Sequence, residues 1–270
     1  APSPKSEADA ASLASKTANT AVTTEKTKLT AVELGGGHAV SVNLPTLDAE
    51  VGDAKVRDKN LNLKDYAELF GAGDIVWPSS VALARMVSFC PSFVKGMKVL
   101  ELGCGLGTVG LAAAKAGAYS VLLTDRDENV LKLAGGAAES NGVAELVDTA
   151  SLDWCSPEAS VLEAGPFDSV LGADVLYDAN LVDCVANLLA ELLLTGDDEA
   201  GMVPVNEDGE YEPEQARRAL LTDPVQRPYR AAFTARCGEL GLLVQEVMTA
   251  EELPGPEECV LLSVVPAGSG

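Results

Sequence analysis

Five acidic residues stand where predicted strands end, and together they could form one anionic edge. They are Glu101, Asp125, Asp153, Asp174 and Asp223. In an open α/β sheet, ligands bind across the carboxyl ends of the strands. An edge of carboxylates repels a pyrophosphate and attracts a sulfonium or an ammonium. A strand-end or helix N-cap role explains any one of these acids alone, but it explains five together poorly.

A glycine-rich turn follows the first of these acids, in the segment Glu101-Leu102-Gly103-Cys104-Gly105-Leu106-Gly107-Thr108-Val109-Gly110. The alternating glycines separate an apolar strand from an alanine-rich helix. They let a ligand lie directly on backbone N–H groups at the helix N-terminus. The segment also fits the GxGxxG pattern, with Asp125 at the distance expected of a ribose-binding acid. A nicotinamide-dependent oxidoreductase is therefore one alternative.

Two features favour S-adenosylmethionine over a dinucleotide. Glu101 precedes the glycines, where a carboxylate suits a cationic amino-acid moiety better than a pyrophosphate. Asp153-Trp154 offers an acceptor and an aromatic face, which suit the amino group and the ring of adenine. Since S-adenosylmethionine combines a sulfonium, an α-ammonium, a ribose diol and an adenine, we expect it as the cofactor.

The elements that must position these residues alternate between strands and helices. Strands are predicted at about 98–102, 119–124, 147–152, 167–173, 219–222, 242–247 and 259–265. Helices are predicted at about 108–116, 128–140, 180–194 and 229–240, and another begins at Trp77-Pro78-Ser79-Ser80, where a serine can cap it. The pattern predicts an α/β fold with a Rossmann-like, seven-stranded, mostly parallel sheet and helices on both faces. The last two strands predict an antiparallel edge hairpin.

Composition divides the chain into three parts. Residues 1–28 have almost no large apolar side chains, so we expect a disordered or processed tail. Residues 29–76 form an N-terminal extension, which begins with a β-hairpin that turns at Gly35-Gly36-Gly37. Residues 77–266 form the α/β domain. An acidic insertion at 196–215 interrupts this domain, with eight acids and no base between residues 197 and 214.

The overall composition argues against several classes of function. The net charge of −22, from 41 acids and 19 bases, argues against nucleic-acid binding. No apolar run approaches the roughly 20 residues of a transmembrane helix. Six cysteines without a CxxC pair, and the single histidine His38, argue against a metal site. We expect free thiols in the cytoplasm, or in an organelle matrix or stroma if the tail is a processed transit peptide.

Four segments resemble the seven-β-strand protein-lysine methyltransferases of the methyltransferase-like 21 group, which is methyltransferase family 16. They are Trp77-Pro78-Ser79-Ser80, the segment from Glu101 to Gly107, Leu152-Asp153-Trp154 and Ala173-Asp174-Val175-Leu176-Tyr177. Most methyltransferases share the glycine motif, whereas the Leu-Asp-Trp and Asp-x-x-Tyr motifs are more specific to this group. Asp223-Pro224 followed by Arg227 is a looser match to the Asp-Pro-x-Arg stretch of relatives that act on electron-transfer flavoprotein.

The resemblance, over roughly residues 70–265, implies a role for each matching residue. The backbone of the turn would contact the cofactor, Glu101 would lie near its amino-acid end, and Asp125 would hold the ribose. Asp153 and Trp154 would bracket the adenine. The remaining cofactor residues are Trp77, Gly103, Cys104, Gly105, Gly107 and Ala173. Asp174 and Tyr177 would be the catalytic residues, which orient the target amine while water removes its proton.

The expected function is therefore methylation of an accessible lysine on a non-histone protein. One alternative is a small-molecule N-methyltransferase. Another is a catalytically silent subunit that keeps the fold as a scaffold in a larger protein assembly. The extension, the acidic insertion and the strong net charge would suit such a component.

Overall fold

The structure is a computed structural model that describes residues 27–45, 75–194, 217–249, 251–253, 255 and 258–268. It opens with an antiparallel hairpin of β1 (Thr27–Gly35) and β2 (His38–Pro45). In the predicted glycine turn, Gly36 and Gly37 have φ values of 57° and 84°, which residues other than glycine rarely adopt. Residues 1–26 of the predicted tail and the predicted acidic insertion lie outside the described residues. The last two residues of that tail, Thr27 and Lys28, instead pair with β2 as part of β1.

Seven further strands form one sheet, as the sequence predicts. They are β3 (Lys98–Leu102), β4 (Ser120–Asp125), β5 (Val147–Ser151), β6 (Ser169–Ala173), β7 (Arg218–Pro224), β8 (Leu242–Met248) and β9 (Cys259–Pro266). Their order is β5-β4-β3-β6-β7-β9-β8, and β9 runs antiparallel to both of its neighbours. The central strand β3 pairs in parallel with β4 and β6, so their carboxyl ends meet at one edge.

Helices cover both faces of this sheet. They are α1 (Pro78–Phe89), α2 (Thr108–Lys115), α3 (Glu128–Ser140), α4 (Ala159–Glu163), α5 (Val182–Leu194) and α6 (Arg230–Glu239). Side chains alternate along β3, so Val99 joins the core layer under α1, α2 and α3 while Leu100 joins the layer under α5 and α6. The five-residue α4 was not predicted, since it is too short to show a helical period.

The hairpin packs on the α3 side of the domain through two asparagines. Asn141, which follows α3, accepts from the backbone N–H of Ser41 at 2.9 Å and donates to its carbonyl at 2.7 Å. Asn43 donates to the carbonyl of Leu133 within α3 at 3.1 Å. A Cβ at Gly136 would lie 3.3 Å from Nδ2 of Asn43, so this helical glycine permits the close approach.

Two sequence-based expectations about local chemistry are wrong. Cys155 and Cys184 form a disulfide, whereas free thiols were expected. The two cysteines are 29 residues apart in sequence, and only the packing of the loop after β5 against α5 brings their Cα atoms to 4.7 Å. At the start of α1 no side chain caps the helix; instead the Ser80 hydroxyl donates to the carbonyl of Trp77 at 2.7 Å.

Among the described helices, none has the length and apolar character needed to cross a membrane. The described part of the chain also contains no group of three or more His, Cys, Asp or Glu side chains that could hold a metal ion.

Candidate active site

The glycine turn lies at the centre of the edge where β3, β4 and β6 end. The backbone N–H of Cys104 donates to the carbonyl of Thr124 on β4 at 2.8 Å, which anchors the turn to the neighbouring strand. Gly103 has a φ of 61°, and a Cβ there would lie 2.8 Å from the Trp154 ring. Because Gly103 has no side chain, the loop after β5 can bring its indole directly against the turn.

Glu101 lies beneath this turn and is buried. Its Oε2 accepts from the backbone N–H of Gly110 in α2 at 2.7 Å. Burial raises the pKa of Glu101 to about 8, and the charge of Asp125 contributes in the same direction. A cationic group nearby would stabilise the carboxylate form, so this acid fits the ammonium-bearing end of the expected cofactor. Its direct contact with that end stays a prediction.

Asp125 ends β4 and connects the turn to the next loop. Its Oδ2 accepts from the backbone N–H of Gly105 at 3.1 Å, and its Oδ1 accepts from that of Asp127 at 3.1 Å. Burial raises the pKa of Asp125, while these backbone hydrogen bonds lower it. Each carboxylate oxygen can accept a second hydrogen bond, so Asp125 retains acceptor capacity for ribose hydroxyls.

The predicted adenine-binding pair lies in the loop after β5. The backbone N–H of Leu152 donates to the carbonyl of Asp125 at 3.1 Å, which fixes the start of this loop beside β4. Asp153 is exposed, and its Oδ1 accepts from the backbone N–H of Cys155 at 2.9 Å. The half-buried Trp154 ring lies 6.3 Å from the ring of Tyr177, centroid to centroid. Trp154 therefore contacts both the glycine turn and the loop after β6.

That loop carries the two predicted catalytic residues. Asp174 directly follows β6 and has a φ of 55°, the one positive φ at a non-glycine position in the described ranges. Its backbone N–H donates to the carbonyl of Thr222 on β7 at 2.9 Å, which holds this unusual conformation. Tyr177 is 43% exposed, and partial burial of its hydroxyl raises its pKa.

Arg227 joins the site, although no role is predicted for it from the sequence. Its Nε and Nη2 donate to Oδ1 of Asp174 at 3.0 and 2.7 Å, and Nη2 also donates to Oδ2 at 2.9 Å. The only signal in the sequence is the position of Arg227 shortly after Asp223-Pro224, which the looser resemblance includes. The 53-residue separation from Asp174 leaves no periodic pattern that could reveal the pair.

Asp223 is buried rather than open at the edge of the sheet. Its Oδ2 accepts from Nη1 of Arg230 at 2.8 Å, while its Oδ1 has no hydrogen-bond partner. Burial raises the pKa of Asp223 to about 6, against the lowering effect of Arg230. The five predicted acids thus differ in pairing and burial. Asp174 and Asp223 are paired with arginines, and Glu101 is buried. The edge is less anionic than the sequence suggests.

Trp77 and Ala173 occupy the flanks of the site. Trp77 immediately precedes α1, and its carbonyl accepts from the backbone N–H of Ser80 at 3.1 Å. The Thr222 hydroxyl donates to the carbonyl of Ser79 at 3.0 Å, which ties the start of α1 to the carboxyl end of β7. Ala173 is the last residue of β6. Their contacts with a cofactor stay predictions.

The residues at this edge fit S-adenosylmethionine. The open glycine turn, the acceptor Asp125, the indole of Trp154 and the buried acid Glu101 match its ribose, adenine and cationic amino-acid parts. Held there, the cofactor would present the methyl group of its sulfonium as the electrophile.

Comparison with known proteins identifies the same class of reaction. A family model described as "Lysine methyltransferase" matches residues 55–203. The electron transfer flavoprotein beta subunit lysine methyltransferase of Xenopus laevis is 36% identical over 126 residues, which are 45% of this chain and 49% of the relative. The protein N-lysine methyltransferase METTL21A of Danio rerio is 33% identical over 116 residues, which are 42% of this chain and 52% of the relative.

A third relative carries a different activity in its name. The histone-arginine methyltransferase METTL23 of Mus musculus is 33% identical over 108 residues, 39% of this chain and 42% of the relative. The chain therefore spans about half the length of the curated relatives it matches. Among solved structures, a TehB-like SAM-dependent methyltransferase from Corynebacterium glutamicum has a TM-score of 0.50 at 18% identity, covering 76% of this chain and 97% of that one. This likeness confirms the predicted fold.

Proposed function

Because the chain belongs to the lysine methyltransferase family, we propose that it methylates the side-chain amine of a lysine on a non-histone protein, with S-adenosylmethionine as the donor. One observation carries the proposal: Trp154 links the glycine turn to the loop of Asp174 and Tyr177, through contacts with Gly103 and with the Tyr177 ring. The expected cofactor residues and the expected acceptor residues therefore share one edge of the sheet.

The chain's own residues supply positioning and electrostatics for this transfer. In the reaction the amine nitrogen forms a bond to the methyl carbon as the carbon–sulfur bond breaks, and the amine proton passes to water. A free lysine has a pKa of about 10.4, so the site must receive or create the neutral amine. Asp174 and Tyr177 orient the amine by hydrogen bonds. Holding both reactants in line can lower the barrier by roughly 7–11 kcal/mol.

Asp174→Ala tests the assignment of the acceptor residues. We expect turnover on a methyl-accepting protein to fall at least about a hundredfold, because the amine loses its orienting carboxylate. Affinity for S-adenosylhomocysteine, measured by calorimetry, should change less than about threefold, since the glycine turn is intact. The matched control is Asp148→Ala, which removes an exposed acid on β5, and it should keep normal turnover.

The acceptor class is tested on arrays of lysine and arginine peptides, with radiolabelled S-adenosylmethionine and amino-acid analysis of the product. A methyl-lysine product supports the proposal, whereas a product that contains only methyl-arginine contradicts the assignment of lysine as the acceptor. Turnover retained by Asp174→Ala contradicts the role of that side chain. A wild-type protein that binds S-adenosylhomocysteine but methylates no protein would instead favour the silent subunit.

A further inference from the structure

The pairing of Arg227 with Asp174 is the feature of this edge that the expected mechanism leaves unexplained. Three hydrogen bonds of 2.7–3.0 Å join the guanidinium to the carboxylate. The Asp174 side chain is only 9% exposed, and that of Arg227 is 29% exposed. Bidentate pairing in a partly buried setting holds the charge of the carboxylate in a fixed geometry.

The segment that carries Arg227 is itself held rigidly. It lies between β7 and α6, where the backbone N–H of Arg227 donates to the carbonyl of Pro224 at 3.0 Å. Arg230 donates to the carbonyls of Pro224 and Val225 at 2.7 and 2.8 Å, and to Asp223 at 2.8 Å. Arg227 is therefore placed by its own turn and by a second arginine, in contrast to a freely rotating surface side chain.

Charged groups of both signs lie on the elements around Asp174 and Tyr177. The charged and titratable groups that act on Asp174, Tyr177 or Asp223 come from the end of β4, the loop after β6 and the segment after β7: Asp125, Arg126, Asp174, Tyr177, Asp178, Asp223, Arg227 and Arg230. Of these, Arg227 is the group in direct contact with the Asp174 carboxylate.

An unpaired carboxylate at this position would favour the wrong form of the acceptor. It would stabilise a lysine ammonium, which has no lone pair for attack on the methyl carbon. Arg227 offsets that negative charge, and Oδ2 of Asp174 still has acceptor capacity because it receives only one hydrogen bond from Arg227. The paired carboxylate can thus orient an amine N–H with little preference for the charged form.

We infer that Arg227 is a positioning residue that neutralises and orients Asp174, so that the acceptor lysine reacts in its uncharged form at this site. The inference rests on the proposed function. It assigns Arg227 no contact with the methyl group, since its effect is exerted through Asp174.

The test compares Arg227→Gln, which removes the charge, with Arg227→Lys, which keeps the charge but loses the bidentate geometry. The readout is kcat between pH 6 and 10 on a lysine peptide that the wild type methylates. For Arg227→Gln we expect the rising limb of the profile to move up by about one pH unit, and kcat at pH 7 to fall about tenfold. Arg227→Lys should keep the wild-type midpoint at a lower kcat.

Two further measurements separate this role from a loss of structure. Affinity for S-adenosylhomocysteine should stay within about threefold of wild type in both variants. The matched control is Arg236→Gln on α6, whose arginine pairs with Glu239 and Asn187 away from the acceptor loop, and its profile should not move. A fall in kcat for Arg227→Gln without a shift in the midpoint of the pH profile overturns this inference but leaves the proposed function unaffected. Absence of lysine methylation by the wild type overturns the proposed function and the inference together.

Discussion

At the scale of single residues, burial strongly alters the acid–base chemistry of Glu101 at the proposed site. Burial is the main cause of its pKa of about 8, the hydrogen bond from Gly110 opposes the shift, and the charge of Asp125 adds to it. Since this pKa lies above the unfolded value of 4.5, the folded protein retains a proton that the unfolded chain releases. The contribution of Glu101 to stability is therefore full below about pH 4.5 and declines as the pH rises towards 8.

Glu101→Gln should remove this part of the pH dependence. Between pH 5 and 8, the free energy of unfolding of the wild type should decline relative to the variant by up to about 1.4 kcal/mol per pH unit. Gln keeps an oxygen that can accept from Gly110, so the turn should survive. Urea unfolding at pH 5, 6.5 and 8 measures the difference, with Glu145→Gln, an exposed acid, as the control. Equal slopes for Glu101→Gln and wild type would contradict the prediction.

At the scale of elements, the contact of α2 with β4 determines how closely the glycine turn approaches the sheet. A Cβ at Gly110 would lie 2.2 Å from Cδ2 of Leu123 and 2.6 Å from Oε2 of Glu101. Leu123 is fully buried, so it has little room to move away. The helix can therefore lie this close to β4 only with glycine at position 110.

Gly110→Ala should destabilise the fold by about 1–3 kcal/mol, because the added methyl group forces α2 away from the sheet. Gly238→Ala on α6 is the matched change, since nothing lies within 4 Å of its Cβ position. That variant should gain about 0.5–1 kcal/mol from helix propensity. Thermal unfolding of the two variants provides the measurement, and a Gly110→Ala protein as stable as Gly238→Ala would refute the packing argument.

At the scale of the whole molecule, the net charge of −22 controls how partners approach. A field of this sign attracts basic protein surfaces and repels acidic ones, and salt screens both effects. The arginine pairs at Asp174 and Asp223 reduce this negative charge locally, at the edge where the acceptor amine would enter. Long-range attraction thus acts on the association of a protein substrate, whereas local neutralisation acts where the acceptor amine binds.

If the chain acts on lysine, kcat/KM for a peptide with basic flanks should fall severalfold between 25 and 250 mM NaCl, because screening slows association. kcat itself should change little, since the acceptor site is partly shielded from solvent. The comparison is a peptide with the same lysine and uncharged flanks, whose kcat/KM should stay nearly constant. Identical salt dependence for the two peptides would show that the overall field has no such role.

Local sequence patterns predict the fold and most of its elements, because apolar runs, periodicity and glycines act locally. The five-residue α4 is an exception, since it is too short to show a helical period. The predicted strand 98–102 and helix 128–140 match β3 (Lys98–Leu102) and α3 (Glu128–Ser140) residue for residue. The glycine turn and the acids after the strands could be placed at one edge, since parallel strands bring their carboxyl ends together. The roles of these residues towards a cofactor and an amine stay predictions.

Contacts between side chains far apart in the sequence depend on the tertiary structure. Arg227 reaches Asp174 over 53 residues and Cys155 meets Cys184 over 29, and neither pair leaves a periodic signal in the sequence. Strand order and helix packing bring such residues together, and these depend on the whole core rather than on local propensity. Burial has the same origin, which is why the raised pKa of Glu101 follows from the structure and not from the motif that contains it.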